Sequence, residues 1–523
     1  MTRHKCVSFP DTFLEFCSFI EQSKCLPKGY VNSPFHGPLT RVWECMKERG
    51  AKSLLLQDRV RDPDFFAEHH AYYLKQHRYV SPLCARIHAF RTEVCEDEDP
   101  LRLIDLAEQE AHSYIGFTTV RPLISAPVAA TILEADASHY SVPCSDKFPV
   151  HIAGQTFHVI GTPFLQQDNS VGACAQASMW MALRTQRRRT GNSAFNTAEL
   201  TLAATRYLME DRVFPGRNGL TVGQMLQAIQ FAGHDPCVVP IPSRRNADWP
   251  AFSNYSPADL DHVRAAIEPY VISGLPVILC MIRPDGEGHA VTAIGRRVDG
   301  LPAATAPNVL ISSALGMETL VVHNDGQGPY VELARRAVGS ADGWALDDIA
   351  SIIVPFPNGV IATAAEANAL AHDWFRRLLE PLAAGMKVPL NLRDGIVVRQ
   401  FLMERHAFRR HMHKDDMGAE TLKKFGRTID LPTWVWVAEF HLQQELADSK
   451  PSRVGLFVID ATSDVETSRP LVSHLNGAVF DETQSGLGFT VTAQTVEALP
   501  VEPKFYISYD DHLALPISPP AHV

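Results

Sequence analysis

The middle of the chain places its helical signals before its strand signals, and that order constrains the fold more than any other feature. "LTVGQMLQAIQFAG" (220–233) carries a capping box, Thr221 with Gln224, and ends at Gly233. "SPADLDHVRAAIEPYVISG" (256–274) has Ser256 as cap, Pro257 in the first turn and Gly274 at its end, with Pro269 expected to kink or shorten it. Three apolar runs follow: "LPVILCMI" (275–282), "HAVTAIGRR" (289–297) and "TLVVHN" (319–324). Helices first and strands later within one segment predict an α+β fold. The short, glycine-bearing connection "RPDGEG" between the first two runs favours antiparallel pairing.

This segment, 141–362, reads as one domain of a 523-residue chain, a length that suits about two to four. Residues 1–140 read as an N-terminal α/β region of unknown role. Within it "RDPDFFAEHHAYYLKQH" starts as a helix capped by Asp62, with Pro63 at the first helical position, and "SYIGFTTVRPL" (113–123) reads as a strand. Residues 363–523 read as a C-terminal α/β or α+β region of unknown role. It opens with a helix that has a Thr363–Glu366 capping box and that Pro381 is expected to stop. Strands are expected in "TWVWVAEF" (433–440) and "RVGLFVIDATSD" (453–464), and the tail "LPISPPAHV" reads as a loose end.

A formal net charge of −11 argues against a nucleic-acid partner, because neutralising phosphates needs a basic face. Ten cysteines show no CxxC pair and no regular disulfide framework, which fits free thiols in a reducing compartment. The N-terminus is interrupted by Pro10, Asp11 and Glu15 and reads as no signal peptide. No apolar run is long enough to span a membrane. The expectation is a soluble, cytoplasmic protein. Neither a GxGxxG nor a GxxxxGK[ST] phosphate loop is present.

The chemistry gathers at "QQDNSVGACAQASMW" (166–180), where a polar run meets an apolar helical pattern at Cys174. A helix starting there points free N–H groups and its positive dipole end at the sulfur, and both favour thiolate. Met179, Trp180 and Leu183 supply the buried face of that helix. A thiolate nucleophile needs a base, and His289 in "GEGHAVTAIG" opens an apolar strand with glycines around it. A base needs an orienting partner, and "VVHNDGQGPY" (321–330) offers Asn324 or Asp325. Neighbouring strand positions face opposite ways, so one of the two is expected to serve, with Asp325 favoured by the turn-like "DGQGPY" after it. The Cys174 backbone N–H and the amide of Gln166 or Gln167 are candidate oxyanion donors.

Glutamine, cysteine at a helix start, Gly-His at a strand start and Asn-Asp after a strand form an order that resembles the papain-like cysteine peptidase superfamily. Within it, the chain is most similar to the bacteriocin-processing (double-glycine leader) peptidase branch, over about residues 165–330. The resemblance implies a nucleophile helix packed on an antiparallel sheet. It also implies Gln167 in the oxyanion hole, Cys174 as nucleophile, His289 as base and acid, and Asp325 or Asn324 as orienter. No cofactor or metal is implied. Two departures stand out. The nucleophile sits in Ala-Cys-Ala-Gln-Ala rather than papain's Cys-Gly-Ser-Cys-Trp, and Asp168 holds the family's usual glutamine position, one residue closer to Cys174 than Gln167.

The activity expected is cleavage of a peptide or isopeptide bond through a thioester, with a protein or peptide substrate. The same thioester serves an acyltransferase, a transglutaminase-like enzyme or a deamidase. A papain-like scaffold that only binds protein is a third reading. The flanking regions are candidates for a regulatory protein partner. His406, His411 and His413 in "MERHAFRRHMHKDD" (403–416) lack a second pair to complete a metal site and read as a solvated charged face.

Overall fold

The computed structural model describes residues 4–34, 36–77, 79–94, 99–135, 140–168, 174–193, 195–206, 219–241, 256–283, 286–298, 310–337, 343–385, 395–414, 424, 426–443, 453–464, 471–475, 478–482 and 489–493. The first part of the chain runs β1 (His4–Ser8), α1 (Phe13–Ile20), α2 (Gly37–Glu48), β2 (Ser53–Val60), α3 (Pro63–Ala71), β3 (Cys84–Phe90), α4 (Pro100–Gln109), β4 (Tyr114–Val120), β5 (Val128–Glu134), β6 (Asp146–Ile152) and β7 (Gln155–Phe164). Asp62 caps α3 by accepting from the Phe65 N–H at 3.1 Å, with Pro63 in the first turn. The seven strands form one sheet in the order β1-β2-β3-β4-β5-β7-β6, antiparallel throughout.

Two expectations change here. The N-terminal region is not α/β: α3 and α4 connect strands that are antiparallel neighbours, so neither helix is a crossover between parallel strands. Nor does the sheet stop at residue 140. The hairpin β6–β7 closes through Ala153 and Gly154, both at positive φ as a tight two-residue hairpin turn requires, and β7 then pairs with β5. A residue-by-residue reading does not register such a return, because the pairing is set by partners distant in sequence.

The second part contains α5 (Cys174–Thr190), α6 (Thr197–Ala204), α7 (Val222–Phe231), β8 (Asp235–Pro240), α8 (Pro257–Ile272), β9 (Val277–Ile282), β10 (Gly288–Val298), β11 (Leu310–Ser312), β12 (Met317–Asn324), β13 (Gly328–Leu333) and β14 (Ile349–Phe356). The expected caps form: Thr221 with Gln224 opens α7, and Ser256 with Asp259 opens α8. α8 runs through Pro269 and ends three residues later at Ile272. Six strands make a second antiparallel sheet, order β13-β12-β10-β9-β14-β8. The last part holds α9 (Ala364–Gly385), β15 (Ile396–Glu404), α10 (Arg405–Lys414), β16 (Trp434–Leu442), β17 (Arg453–Asp460), β18 (Val472–Leu475), β19 (Ala478–Glu482) and β20 (Phe489–Ala493). These strands form a third sheet whose pairs are antiparallel, except that β11 from the middle segment joins the edge of β15 in parallel. Pro381 does not stop α9, which continues to Gly385. A proline removes one donor, and the good helix formers Ala383 and Ala384 follow it. The Pro-rich tail lies outside the described residues.

The fold is therefore mixed helix and sheet with antiparallel sheets, α+β throughout. One buried apolar cluster runs from Phe16 and Leu39 under the first sheet, through Met179, Trp180 and Met181 of α5, to Trp436 of β16. Each such side chain taken from water contributes about 1.5–3 kcal/mol. α5 packs against β10 of the second sheet and β7 of the first, so both sheets fix its position. Two bonds lock it to β10: Ser178 Oγ donates to the Ala290 carbonyl at 2.9 Å, and Thr292 Oγ1 donates to the Ser178 carbonyl at 3.0 Å. Among the described residues no helix is long and apolar enough to cross a membrane.

Candidate active site

The lock between α5 and β10 decides what stands beside Cys174. Cys174 is the first residue of α5, as its sequence context predicts. The amide N–H of Ala290 on β10 donates to Cys174 Sγ at 3.2 Å, so His289 precedes the residue that touches the sulfur. Cys174, His289, Gln166, Gln167 and Asp325 line one cavity of about 660 Å³. Residues far apart in sequence thus meet at one place, Cys174 and His289 on a helix and a strand and the others on the turns that follow strands.

His289 is held on two sides. Its Nε2 lies 3.2 Å from Asn324 Oδ1 and 3.6 Å from Asp325 Oδ1. The expectation that only one of the pair would face the ring does not hold. β12 ends at Asn324 and the chain turns there, Gln327 N–H donating to the Asn324 carbonyl at 3.1 Å, so strand alternation no longer separates the two side chains. Asn324 is the nearer. Its amide oxygen also accepts from the Gly326 N–H at 3.0 Å, and its Nδ2 donates to Gln327 Oε1 at 3.1 Å, which fixes its orientation. The Trp344 ring stacks on the His289 ring with centroids 4.9 Å apart, and the Arg283 guanidinium lies over the same indole. The segment bearing Trp344 is tied down by Arg336, whose N–H donates to Asp347 at 2.8 Å and whose guanidinium pairs with Asp348. Nothing in the local sequence marks Trp344; only the fold brings it to the histidine.

The electrostatics depart from the sequence expectation. Burial pushes the Cys174 thiol up to about 12, the Asp325 charge adds to the rise, and the backbone N–H groups of Ala290 and Ala175 oppose it. At this helix start desolvation outweighs the N–H donors and disfavours the thiolate. Burial likewise raises the Asp325 carboxyl, offset by His289 and by the backbone N–H groups of Asp325 and Gly326. A second thiol, Cys280 on β9, lines the same cavity and is lifted to about 11 by burial.

The glutamines take different roles. Gln166 is buried; its N–H donates to the Val128 carbonyl at 3.2 Å, and its Oε1 accepts from the Val128 N–H at 3.0 Å. Gln167 is half-buried at the cavity. Asp168, in the position that the family resemblance reserves for glutamine, is buried; burial raises the Glu68 carboxyl, Arg121 opposes the rise and the Asp168 charge adds to it. The far wall comes from residues the sequence did not point to: Pro34, Gly37 and Ser125 of the N-terminal region, and Leu220, Val222 and Met225 at the start of α7. α2 seals that region onto β13. Gly328 sits at φ +125°, and a Cβ there would lie 2.6 Å from Arg41 Cβ. Among the described residues no cluster of three or more His, Cys, Asp or Glu is placed to hold a metal; His411 is buried on α10. The nine described cysteines are all free. No family model, no curated protein and no solved structure matches this chain.

Proposed function

We propose that the protein is a cysteine-dependent acyl hydrolase of papain-like type, cleaving a peptide or isopeptide bond. One observation carries the reading: a histidine anchored through Nε2 by Asn324 and Asp325 shares a cavity with a cysteine whose sulfur receives the next residue's N–H. With Nε2 so engaged, Nδ1 is the ring nitrogen left for proton transfer. The raised thiol implies attack with concerted proton loss rather than a standing ion pair.

In the proposed cycle Cys174 Sγ bonds to the substrate carbonyl carbon as its proton passes to His289. The carbonyl π pair moves to oxygen, which meets the Cys174 N–H and the Gln167 amide. Collapse breaks the C–N bond, and the leaving amine takes the proton from His289. Water then attacks the thioester, giving one proton to His289; the released acid forms and the thiol is restored. Asn324 sets the ring orientation, and Asp325 offsets the charge that His289 acquires.

The test uses N-acetylglycine p-nitrophenyl ester, with release of p-nitrophenolate and intact-mass detection of the acyl-enzyme. Cys174→Ala and His289→Ala should each abolish acylation, with label on Cys174 alone in the parent. A peptide library read by mass spectrometry then gives the acceptor. Water as sole acceptor supports hydrolysis, whereas amine incorporation supports acyl transfer. Full ester turnover by Cys174→Ala would overturn the proposal.

A further inference from the structure

Arg121 follows β4 in the N-terminal region and is wholly buried, yet its guanidinium reaches into the segment that leads to the nucleophile. Nε donates to the Ala126 carbonyl at 2.9 Å and Nη1 to Glu68 Oε2 at 3.1 Å. Nη2 donates to two carbonyls, Val128 at 3.1 Å and Gln166 at 2.6 Å. Glu68 on α3 also accepts from Thr197 Oγ1, the first residue of α6, at 3.3 Å. Stability alone gives little reason for such a pair, since apolar side chains of similar volume often serve as well. What the planar fork adds is a set of fixed directions on neighbouring carbonyls.

Those directions matter because of where Gln166 stands. Its N–H and Oε1 are bonded to Val128, and its carbonyl is bonded to Arg121, so the residue is held through both of its flanking peptides and its side chain. The next residue is Gln167, at the cavity. We infer that Arg121 is a positioning residue of the oxyanion site, fixing the Gln166 carbonyl and through it the place of the Gln167 amide. This rests on the reading of Gln167 as an oxyanion donor. It makes the N-terminal sheet part of the machinery rather than an appended domain.

The experiment separates oxyanion chemistry from thiol access. Acylation of Cys174 by N-acetylglycine p-nitrophenyl ester builds negative charge on oxygen; alkylation by iodoacetamide displaces iodide and builds none. Arg121→Lys keeps the charge for Glu68, but one ammonium cannot span the carbonyls. It should slow acylation roughly 10- to 100-fold, somewhat less than outright loss of an oxyanion donor, and leave alkylation within about two-fold. In a Gln167→Ala background the same substitution should cost less than about two-fold more, as non-additive coupling requires. Equal cost in both backgrounds, or parallel loss of alkylation, overturns the inference. If Arg121→Lys does not fold, the pair Glu68→Gln with Arg121→Met removes both charges and takes its place. Failure of the underlying reading shows separately, as a Gln167→Ala protein that acylates at the parent rate, or as ester acylation that survives Cys174→Ala.

Discussion

Removing the charge of Asp325 should move two properties of Cys174 in opposite directions. The carboxylate lies 3.6 Å from His289 Nε2, and its charge also helps to hold the thiol up at about 12. Asp325→Asn keeps the shape. The sign for the thiol follows directly: a negative neighbour disfavours thiolate, so its loss lowers the thiol's pKa and raises the thiolate fraction at a fixed pH. Alkylation of Cys174 by iodoacetamide at pH 8 should quicken roughly three- to ten-fold. The sign for the histidine is the reverse, because imidazolium forms during attack and loses its counter-charge. At the observed 3.6 Å and an effective dielectric of about 20, the full interaction is about 4–5 kcal/mol. The retained amide and Asn324 leave about half of that at stake, a loss of roughly 30- to 70-fold in ester acylation. In the parent protein, alkylation should climb about ten-fold per pH unit from 7 to 10 without a plateau, as a thiol held up at about 12 does and an ordinary thiol does not. Slowing of both reactions together, or a parent plateau below pH 8, would refute the reasoning.

Asn324→Ala removes the 3.2 Å contact to His289 and the bond to the Gly326 N–H; acylation should fall about 100-fold and stability by about 1–2 kcal/mol in a urea melt. Trp344→Ala uncovers the His289 ring; acylation should fall roughly 3- to 30-fold with KM little changed, while Trp344→Phe keeps most of the rate. Gly328→Ala sets a Cβ 2.6 Å from Arg41 at a φ of +125°; it should cost about 2–4 kcal/mol and lower Tm, through strain where α2 meets β13. Thr292→Val removes one of the two bonds between α5 and β10; it should cost about 1–2 kcal/mol by thermal melt.

Local signals were legible where the physics is local. The capping boxes at Thr221 and Thr363, the Asp62–Pro63 helix start and the Ser256 cap appear as read, because each is a bond within four residues of itself. The same holds for β9, β10 and β12, whose apolar runs match the strands within two residues. What escaped was pairing. β6 and β7 return to the first sheet and β11 leaves for the third, and both choices depend on partners distant in sequence. Arg121 and Trp344 were missed for the same reason. An isolated arginine after a strand and a lone tryptophan in a loop acquire these contacts only when Gln166 and His289 arrive beside them.

Cys174, the proposed nucleophile, shows how a sequence rule can place a residue at a site and still misjudge its electrostatics. A cysteine at a helix start is read as a thiolate because the rule counts donors and the dipole. Both are present at Cys174, which receives the Ala290 N–H at 3.2 Å and is eased downward by Ala175. Yet the packing that brings it to His289 also strips its water. α5 packs against two sheets and is bonded to β10 through Ser178 and Thr292, so Cys174 is partly buried in the act of being positioned. A carboxylate close enough to steady the imidazole adds to the thiol's rise. Position and activation therefore pull against each other. In the proposed cycle the deprotonating drive comes from His289 at the moment of attack, so the Asn324–Asp325 pair, more than the helix start, should govern the rate.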